Sequence, residues 1–307
     1  MTTTAIARPW LGFFLAFLGT ALFSFKSIFI KLAYAEGLNT DSVLMLRMLM
    51  SLPIYLAIIG YLWRQPDAPK SAIREHAWFI IFLGFIGYFL SSWLDLKGLE
   101  YITAGLERLT LFTYPIFVTL LGALFFKTPL NRHIVITLVL TYSGIWMIFS
   151  QEAAGDNSAE TKLGVLLVAL SALSYSFYVL FGKGVIHKLG STWFTALAMS
   201  VSSVFVLAYY GVTLDFSQLV ISPAAWFWVA CLALVSTVIP SFMISESIAR
   251  IGSAQTGIVG TLGPVITILL AIVILGEPFT LYHLAGIALV MTGVLLLTLR
   301  KPEQKTS

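Results

Sequence analysis

Residues 12–31, GFFLAFLGTALFSFKSIFIK, and residues 164–183, GVLLVALSALSYSFYVLFGK, carry one shared pattern. At an offset of 152 positions, a glycine, a serine, two phenylalanines and a lysine of the first stretch coincide with identical residues of the second. Three further pairs coincide at an offset of 149 positions: Pro115 with Pro264, Pro129 with Pro278, and Gly144 with Gly293. Weak internal repetition in an apolar chain indicates a membrane protein built from two related halves.

The composition is that of a chain that crosses a membrane many times. Hydrophobic residues make up 59% of the sequence and charged residues 10%, and the mean hydropathy is +0.94, whereas soluble domains contain about 25% charged residues. Ten apolar runs, here called spans 1 to 10, are long enough to cross a hydrocarbon core: 11–34, 42–62, 77–96, 103–126, 133–150, 163–182, 192–211, 224–246, 253–275 and 281–299. The sequence therefore predicts an all-α integral membrane protein with ten transmembrane helices.

Lysine and arginine are distributed unequally between the two ends of these spans. Of the 18 such residues, twelve lie on the side that holds both termini and the loops after spans 2, 4, 6 and 8. Three lie on the opposite side, namely Lys31, Lys97 and Lys162, and three lie within spans, namely Lys26, Arg47 and Arg108. The positive-inside rule then places both termini in the cytoplasm and the chain in the inner (plasma) membrane. Because the basic residues are dispersed over short loops, we expect no nucleic-acid partner.

Two halves of five spans each must enter the membrane in opposite directions, because five is odd. We therefore expect an inverted repeat, with one half at 10–150, the other at 163–300, and a solvated linker at 151–162 that contains Gly155, Asp156 and Asn157. Inverted halves place a binding site near the middle of the bilayer at their interface.

Several short motifs resemble those of the drug/metabolite transporter superfamily, EamA type. They are Arg47 early in span 2, Tyr114-Pro115 in span 4, Gly263-Pro264 in span 9 and the Gly276-Glu277-Pro278 turn before span 10. The first half departs from the pattern, with Lys127-Thr128-Pro129 at the corresponding turn. The resemblance implies export or exchange of small metabolites, and we expect amino acid export of the YddG type; aromatic amino acids are among the expected substrates.

The candidate substrate-binding residues are polar and aromatic side chains within the spans. Tyr88, Ser91, Ser92 and Asp95 share one face of span 3, and span 4 repeats the arrangement with Glu107, Thr110 and Tyr114. Hydroxyl groups that faced lipid would lack partners, so both faces are expected to look inward, either onto a substrate or onto neighbouring helices. The complete predicted set is Lys26, Tyr88, Ser91, Ser92, Trp93, Thr110, Tyr114, Tyr178, Ser241 and Gly263.

Lys26 has two interpretations, because a lysine deep in an apolar span is costly. Either its long side chain extends to the outer end of span 1, or its ammonium group binds a substrate anion in a central cavity. Its equivalent in the repeat is Tyr178, which suits a pair of residues lining one cavity. A second polar stripe, formed by Thr20, Ser24, Ser27 and Lys31, lies on a different face of the span, and we expect only one face to line the cavity.

The predicted moving parts are two prolines and four charged residues. Pro115 and Pro264 each free a backbone carbonyl, so they serve either as hinges or as packing kinks. Arg47, Asp95, Glu107 and Arg108 lie near the outer ends of their spans, where they form either a gate of ion pairs or a solvated rim. Glycines at 257, 260, 263, 286 and 293 are expected mainly to allow close helix packing.

Nothing in the sequence favours an enzyme, a metal site or a cofactor. The four histidines are isolated near span ends, and HExxH and GxSxG motifs are absent. The single cysteine, Cys231, excludes a disulfide framework. We expect an alternating-access secondary transporter with a small-molecule substrate; the alternatives are a carrier of larger anionic metabolites such as nucleotide-linked sugars, a channel, or a scaffold protein. The sequence leaves the coupling ion and the oligomeric state open.

Overall fold

The computed structural model describes residues 9–127, 132–152, 158–213, 221–251 and 253–298, and these residues form helices and short turns without a β-strand. Residues 153–157 of the predicted linker, Thr128 and Pro129, and the chain from 299 onward lie outside this part. The helices are α1 (Pro9–Ser24), α2 (Lys26–Ala35), α3 (Thr40–Trp63), α4 (Lys70–Glu75), α5 (Ala77–Gly84), α6 (Ser91–Leu99), α7 (Ala104–Leu111), α8 (Tyr114–Phe126), α9 (Arg132–Glu152), α10 (Ser158–Leu189), α11 (Ser191–Thr213), α12 (Pro223–Ala233), α13 (Ile239–Ile251), α14 (Ser253–Gly260), α15 (Leu262–Leu270) and α16 (Leu281–Thr298).

All ten predicted spans are helical, and eight of them are long and apolar enough to cross a membrane. The other two, spans 5 and 10, correspond to the shorter apolar stretches Val135–Gln151 and Leu281–Leu296. Many large apolar side chains are exposed on the outside of the protein, among them Trp78, Leu124, Val212 and Leu281. Such a surface is stable in lipid and not in water, which makes the protein a multi-pass membrane protein.

Spans 1, 4 and 9 are each divided into two helices. Span 4 breaks between Leu111 and Tyr114, and span 9 breaks between Gly260 and Leu262, at an offset of 149 residues. Pro115 and Pro264 lie in the first turn of the helix after each break, where a missing N–H leaves no intrahelical hydrogen bond unmade. The prolines therefore mark short interruptions, at which one or two turn residues with near-helical backbone angles separate the paired helices. The break in span 1, at Phe25, has no proline or glycine beside it and was not predicted.

Short π-helical segments directly follow α5, α12 and α15. They are Phe85–Leu90 in span 3, Leu234–Val238 in span 8 and Ala271–Leu275 at the end of span 9. The first two begin 149 residues apart, at the offset that separates the two prolines. A π-helical turn shifts one backbone carbonyl out of the regular ladder and occurs frequently at functional sites.

The main helix contacts join the two predicted halves to each other. Helix α9 packs along α16, α1 along α13, α3 along α11, and α6 along α10. Helices α9 and α16 approach each other closely at two glycines, since a Cβ atom added to Gly286 would lie 2.7 Å from the carbonyl oxygen of Gly144. The predicted packing role is confirmed for Gly286 and Gly293 but is wrong for Gly260, because a Cβ atom at Gly260 would meet nothing within 4 Å.

Candidate functional site

Three charged side chains from spans 1, 3 and 4 meet in the interior and form what we call the carboxylate–lysine cluster. The Lys26 ammonium group forms an ion pair with Asp95, and its Nζ lies 3.7 Å from Glu107 Oε1. Ser27, the next residue along span 1, donates a hydrogen bond of 2.5 Å to the other oxygen of Glu107. Asp95 and Glu107 are 2% and 0% exposed. The cluster therefore ties three spans together away from water.

This geometry revises the two interpretations of Lys26. Its side chain does not extend to the outer end of span 1, and its ammonium group is already engaged by protein carboxylates. It also revises the prediction for the four charged residues near the span ends, because buried Asp95 and Glu107 cannot form a solvated rim. Their cation is Lys26, and within the described ranges neither Arg47 nor Arg108 lies within 4.0 Å of a carboxylate.

The second polar stripe of span 1 faces spans 4 and 9. Ser24 Oγ donates to the carbonyl of Gly263 at 3.1 Å, and Thr267 Oγ1 of span 9 donates to the carbonyl of Ser24 at 3.1 Å. The Gly263 backbone also lies against Arg108, whose Nη2 would be 3.1 Å from an added Cβ atom. Both polar faces of span 1 are thus buried in helix contacts. Gly263, a predicted substrate contact, lies in this helix junction.

Four tyrosines form a continuous aromatic group, the tyrosine cluster, at the middle of the spans. Tyr88 contacts Tyr178 with a ring separation of 4.9 Å, Tyr178 contacts Tyr175 at 5.6 Å, and Tyr175 contacts Tyr114 at 5.2 Å. Tyr88 and Tyr114 stand near the centres of spans 3 and 4. The structure thus brings together three of the predicted substrate-binding residues. Tyr175 was missed, although its position three residues before Tyr178 places both on one helix face.

Arg47 and Tyr55 lie on one face of span 2 and contact span 8. Arg47 is 5% exposed, and its Nε donates to Thr237 Oγ1 at 3.0 Å. The Tyr55 hydroxyl lies 3.5 Å from Ser241 Oγ. Tyr55 and Thr237 were missed in the sequence. Tyr55 follows Arg47 by eight residues on one helix, and Thr237 precedes Ser241 by four residues on the other, so helical spacing could have indicated both. The predicted gate residue Arg47 is therefore held by a neutral hydroxyl group.

The remaining predicted residues lie in helix contacts or apart from the tyrosines. Ser91 pairs with Ser171 of span 6, with 3.0 Å between the two Oγ atoms. Trp93 packs near the start of span 2, where its Nε1 lies 3.4 Å from Asp41 Oδ1. Ser92 is half-buried, and Thr110 is buried with no hydrogen-bond partner for its Oγ1. The predicted polar face of span 3 thus divides between several neighbours.

The Gly276-Glu277-Pro278 turn joins the end of span 9 to the beginning of span 4. The Glu277 carboxylate accepts hydrogen bonds from the backbone N–H groups of Ala104 at 2.7 Å and Gly105 at 3.2 Å, at the start of α7. A carboxylate at a helix N-terminus satisfies free N–H groups and complements the helix dipole. Beside this contact lies a groove of about 430 Å³, lined by Lys31, Glu100, Tyr101, Ile102, Thr103, Leu275 and Glu277.

Metal ligands do not converge in the part of the chain that the structure describes. No three side chains from His, Cys, Asp and Glu come together there. The described interior contains a buried cation, hydroxyl groups and aromatic rings.

Comparison with known proteins gives the family. The model of the EamA-like transporter family matches twice, over residues 10–150 and 162–299. The chain is 28% identical over 288 residues to the uncharacterized transporter YcbK of Bacillus subtilis (strain 168), covering 90% of each protein. It is 25% identical over 325 residues to the uncharacterized transporter sll1319 of Synechocystis sp., covering 96% of this chain and 95% of that one.

One solved crystal structure has the same fold. It superposes with a TM-score of 0.64 at 15% sequence identity and covers 93% of this chain and 95% of that chain. The two family matches account for nearly all of the described residues, including the carboxylate–lysine cluster, the tyrosine cluster and Arg47. The chain belongs to the EamA-like transporter family and is a membrane transporter.

Proposed function

We propose that this transporter is an alternating-access carrier that exports or exchanges small metabolites, most of all amino acids, aromatic ones included, as the YddG-type exporters do. The observation that carries the proposal is the tyrosine cluster, which joins spans 3 and 4 of one predicted half to span 6 of the other. Aromatic rings give a flat substrate apolar contact, and their hydroxyl groups can orient its polar part.

The chain is proposed to form ten transmembrane helices in two inverted repeats, at 10–150 and 163–300, with the linker at 151–162 between them. Three features support this arrangement. The family model matches each half separately, the helix breaks of spans 4 and 9 occur at the offset of 149, and the main helix pairs join one half to the other. Inverted repeats of this kind allow one half to rock against the other around a central site.

The proposed moving parts follow from where the helices break. Pro115 and Pro264 stand directly after the interruptions of spans 4 and 9, where the missing proline N–H leaves fewer helical hydrogen bonds to resist a change in backbone angles. On the outer side, the carboxylate–lysine cluster and the Glu277 contact hold spans 1, 3, 4 and 9 together. We place both termini in the cytoplasm, so opening toward the outside requires these contacts to separate.

Counterflow in proteoliposomes tests the proposal. Vesicles loaded with an unlabelled amino acid should take up the labelled one against its gradient, with saturation, because a carrier exchanges substrate through one site. Linear uptake without counterflow would identify a channel, and the absence of any flux would favour a scaffold. Counterflow restricted to nucleotide-linked sugars would establish a carrier of larger anions instead.

A variant pair connects the flux to the tyrosine cluster. Tyr88→Leu removes one ring from the cluster and should lower the apparent affinity for aromatic amino acids by roughly two- to tenfold, the value of an aromatic contact. Tyr209→Leu is the matched control, since Tyr209 is 45% exposed on span 7. Equal effects of the two substitutions would remove the tyrosine cluster from the substrate site.

A further inference from the structure

We propose that Arg47 binds the carboxylate of the transported molecule, so that the substrate class is small organic acids, including amino acids, with a planar apolar part. The inference rests on the proposed carrier function and makes it more specific. It assigns the anion-binding role to Arg47, whereas the sequence had suggested Lys26 for that role and a gate for Arg47.

The first argument is the charge balance around Arg47. The residue is 5% exposed, and its nearest described hydrogen-bond partner is the neutral hydroxyl of Thr237. The acidic group that faces it is Asp95, which is already the ion-pair partner of Lys26. The other titratable groups that face it are the neutral hydroxyls of Tyr55 and Tyr88. A buried cation without its own counter-ion is costly to keep, unless an anion from outside the chain completes the site.

The second argument is that the protein fixes the direction of the guanidinium group. Thr237 donates its own proton to the carbonyl of Leu232 at 2.7 Å, so its oxygen is left to accept from Arg47 Nε. That carbonyl lies five residues earlier and precedes the π-helical turn Leu234–Val238. The π-helical turn thus places a threonine hydroxyl where it holds one edge of the guanidinium group. The terminal nitrogens remain as a fork that matches a carboxylate with two parallel hydrogen bonds.

The third argument is the position of Arg47 relative to the aromatic residues. Arg47 lies seven residues into α3, which corresponds to about 10 Å of helix rise from its outer end. Tyr55 follows on the same face and packs in one cluster with Tyr88, which in turn contacts Tyr178. A molecule whose carboxylate is bound by Arg47 would therefore have hydroxyl groups and aromatic rings next to it. By contrast, Lys26 already has two carboxylate neighbours and little capacity for a third.

The test uses three probes that share a phenyl ring. L-phenylalanine has both an amine and a carboxylate, phenylacetate has only the carboxylate, and phenethylamine has only the amine. Binding is measured as ligand-induced thermal stabilisation of the purified full-length protein, and exchange as counterflow in proteoliposomes. We expect the two carboxylates to stabilise the wild type and phenethylamine not to do so. Arg47→Gln should weaken carboxylate binding by about tenfold or more, and Arg47→Lys should weaken it less. Arg250→Gln, at an exposed arginine paired with Glu246, should bind as the wild type does.

A second readout is independent of substrate identity. If Arg47 lacks a protein counter-ion, Arg47→Gln should leave the melting temperature of the ligand-free protein unchanged or raise it. A marked fall would show that Arg47 is a structural residue and would overturn the inference. So would carboxylate binding by Arg47→Gln at wild-type strength, or binding of phenethylamine alone. In either case, counterflow by the wild type would leave the proposed carrier function standing, whereas its absence for every solute would refute that function itself.

Discussion

Substitutions of the three members of the carboxylate–lysine cluster are predicted to destabilise the protein to different extents. Lys26→Met leaves Asp95 and Glu107 buried beside each other with no cation between them. Asp95→Asn leaves Lys26 with Glu107, and Glu107→Gln leaves Lys26 with Asp95, so each of these variants retains a neutral pair. Removing the lysine should therefore destabilise the protein more than removing either carboxylate.

The magnitude follows from burial and distance. At the 3.7 Å that separates Lys26 Nζ from Glu107 Oε1, the Coulomb attraction is about 4.5 kcal/mol at an effective dielectric constant of about 20. Loss of one partner of a buried ion pair costs about 3 to 5 kcal/mol in proteins. We expect a loss in that range for Lys26→Met, and about 1 to 3 kcal/mol for each carboxamide variant, which loses one charged hydrogen bond.

The assay is thermal and denaturant-induced unfolding of the purified protein in detergent. Lys188→Met is the matched control, because Lys188 is half exposed and pairs with the exposed Glu75; its cost should stay below about 1 kcal/mol. The double variant Lys26→Met with Asp95→Asn should recover part of the stability lost by Lys26→Met alone, since one buried charge disappears. Wild-type stability of Lys26→Met, or an equal loss in all three single variants, would refute the charge assignment.

Two further substitutions, each with a matched control, test separate contacts, and a pair of fusions tests the topology. Glu277→Gln should destabilise the protein by about 1 to 2 kcal/mol, because it weakens the hydrogen bonds to the start of α7. The control Glu246→Gln, on the exposed end of span 8, should have little effect on stability. Equal losses of stability in the two variants would contradict the capping role of Glu277. Gly286→Ala should lower the free energy of unfolding by about 1 to 3 kcal/mol, because the added methyl group forces α16 away from α9. The control Gly260→Ala should leave the free energy of unfolding unchanged. Unfolding curves measure both variants, and wild-type stability of Gly286→Ala would contradict the close packing. Reporter fusions should place position 305 in the cytoplasm and position 156 outside; a C-terminus outside would contradict the inverted arrangement.

The fold was largely predictable from the sequence because its main signals are local. Apolar runs have the length of a membrane helix, and the prolines at 115 and 264 mark breaks that occur at the predicted places in spans 4 and 9. The break at Phe25 and the π-helical segments have no such marker. They depend on how neighbouring helices pack, and Ser24 beside the break is held by span 9, more than 200 residues away.

The candidate site was predictable in its residue types and less so in its pairings. Tyr88 and Tyr114 share helix faces with polar residues, so periodicity indicated them, whereas Tyr178 was indicated by its equivalence to Lys26 in the repeat. The partner of Lys26 could not be found this way, because Asp95 lies 69 residues away on another span. Arg47 shows the same limit, since its partner Thr237 lies 190 residues away. Which charged residue meets which is decided by the crossing of the spans, and that crossing has no signature within a single helix.

The central claim is that one site between the halves opens to one side of the membrane at a time. Ser241→Cys, in a Cys231→Ala background, places a thiol opposite Tyr55 at that site. Gly105→Cys and Glu277→Cys add a pair of cysteines at the outer contact, where an added Cβ atom at Gly105 would lie 3.6 Å from Glu277 Oε2. A short bifunctional thiol reagent applied from outside would lock that contact.

The measurement is the labelling rate at position 241 by a membrane-impermeant thiol reagent, applied from each side before and after the outer contact is locked. The account predicts labelling from both sides before the lock. After the lock, labelling from outside should be lost, labelling from the cytoplasmic side should remain, and saturating substrate should slow it. Labelling from outside that survives the lock, or loss of labelling from both sides together, would contradict alternating access to a single central site.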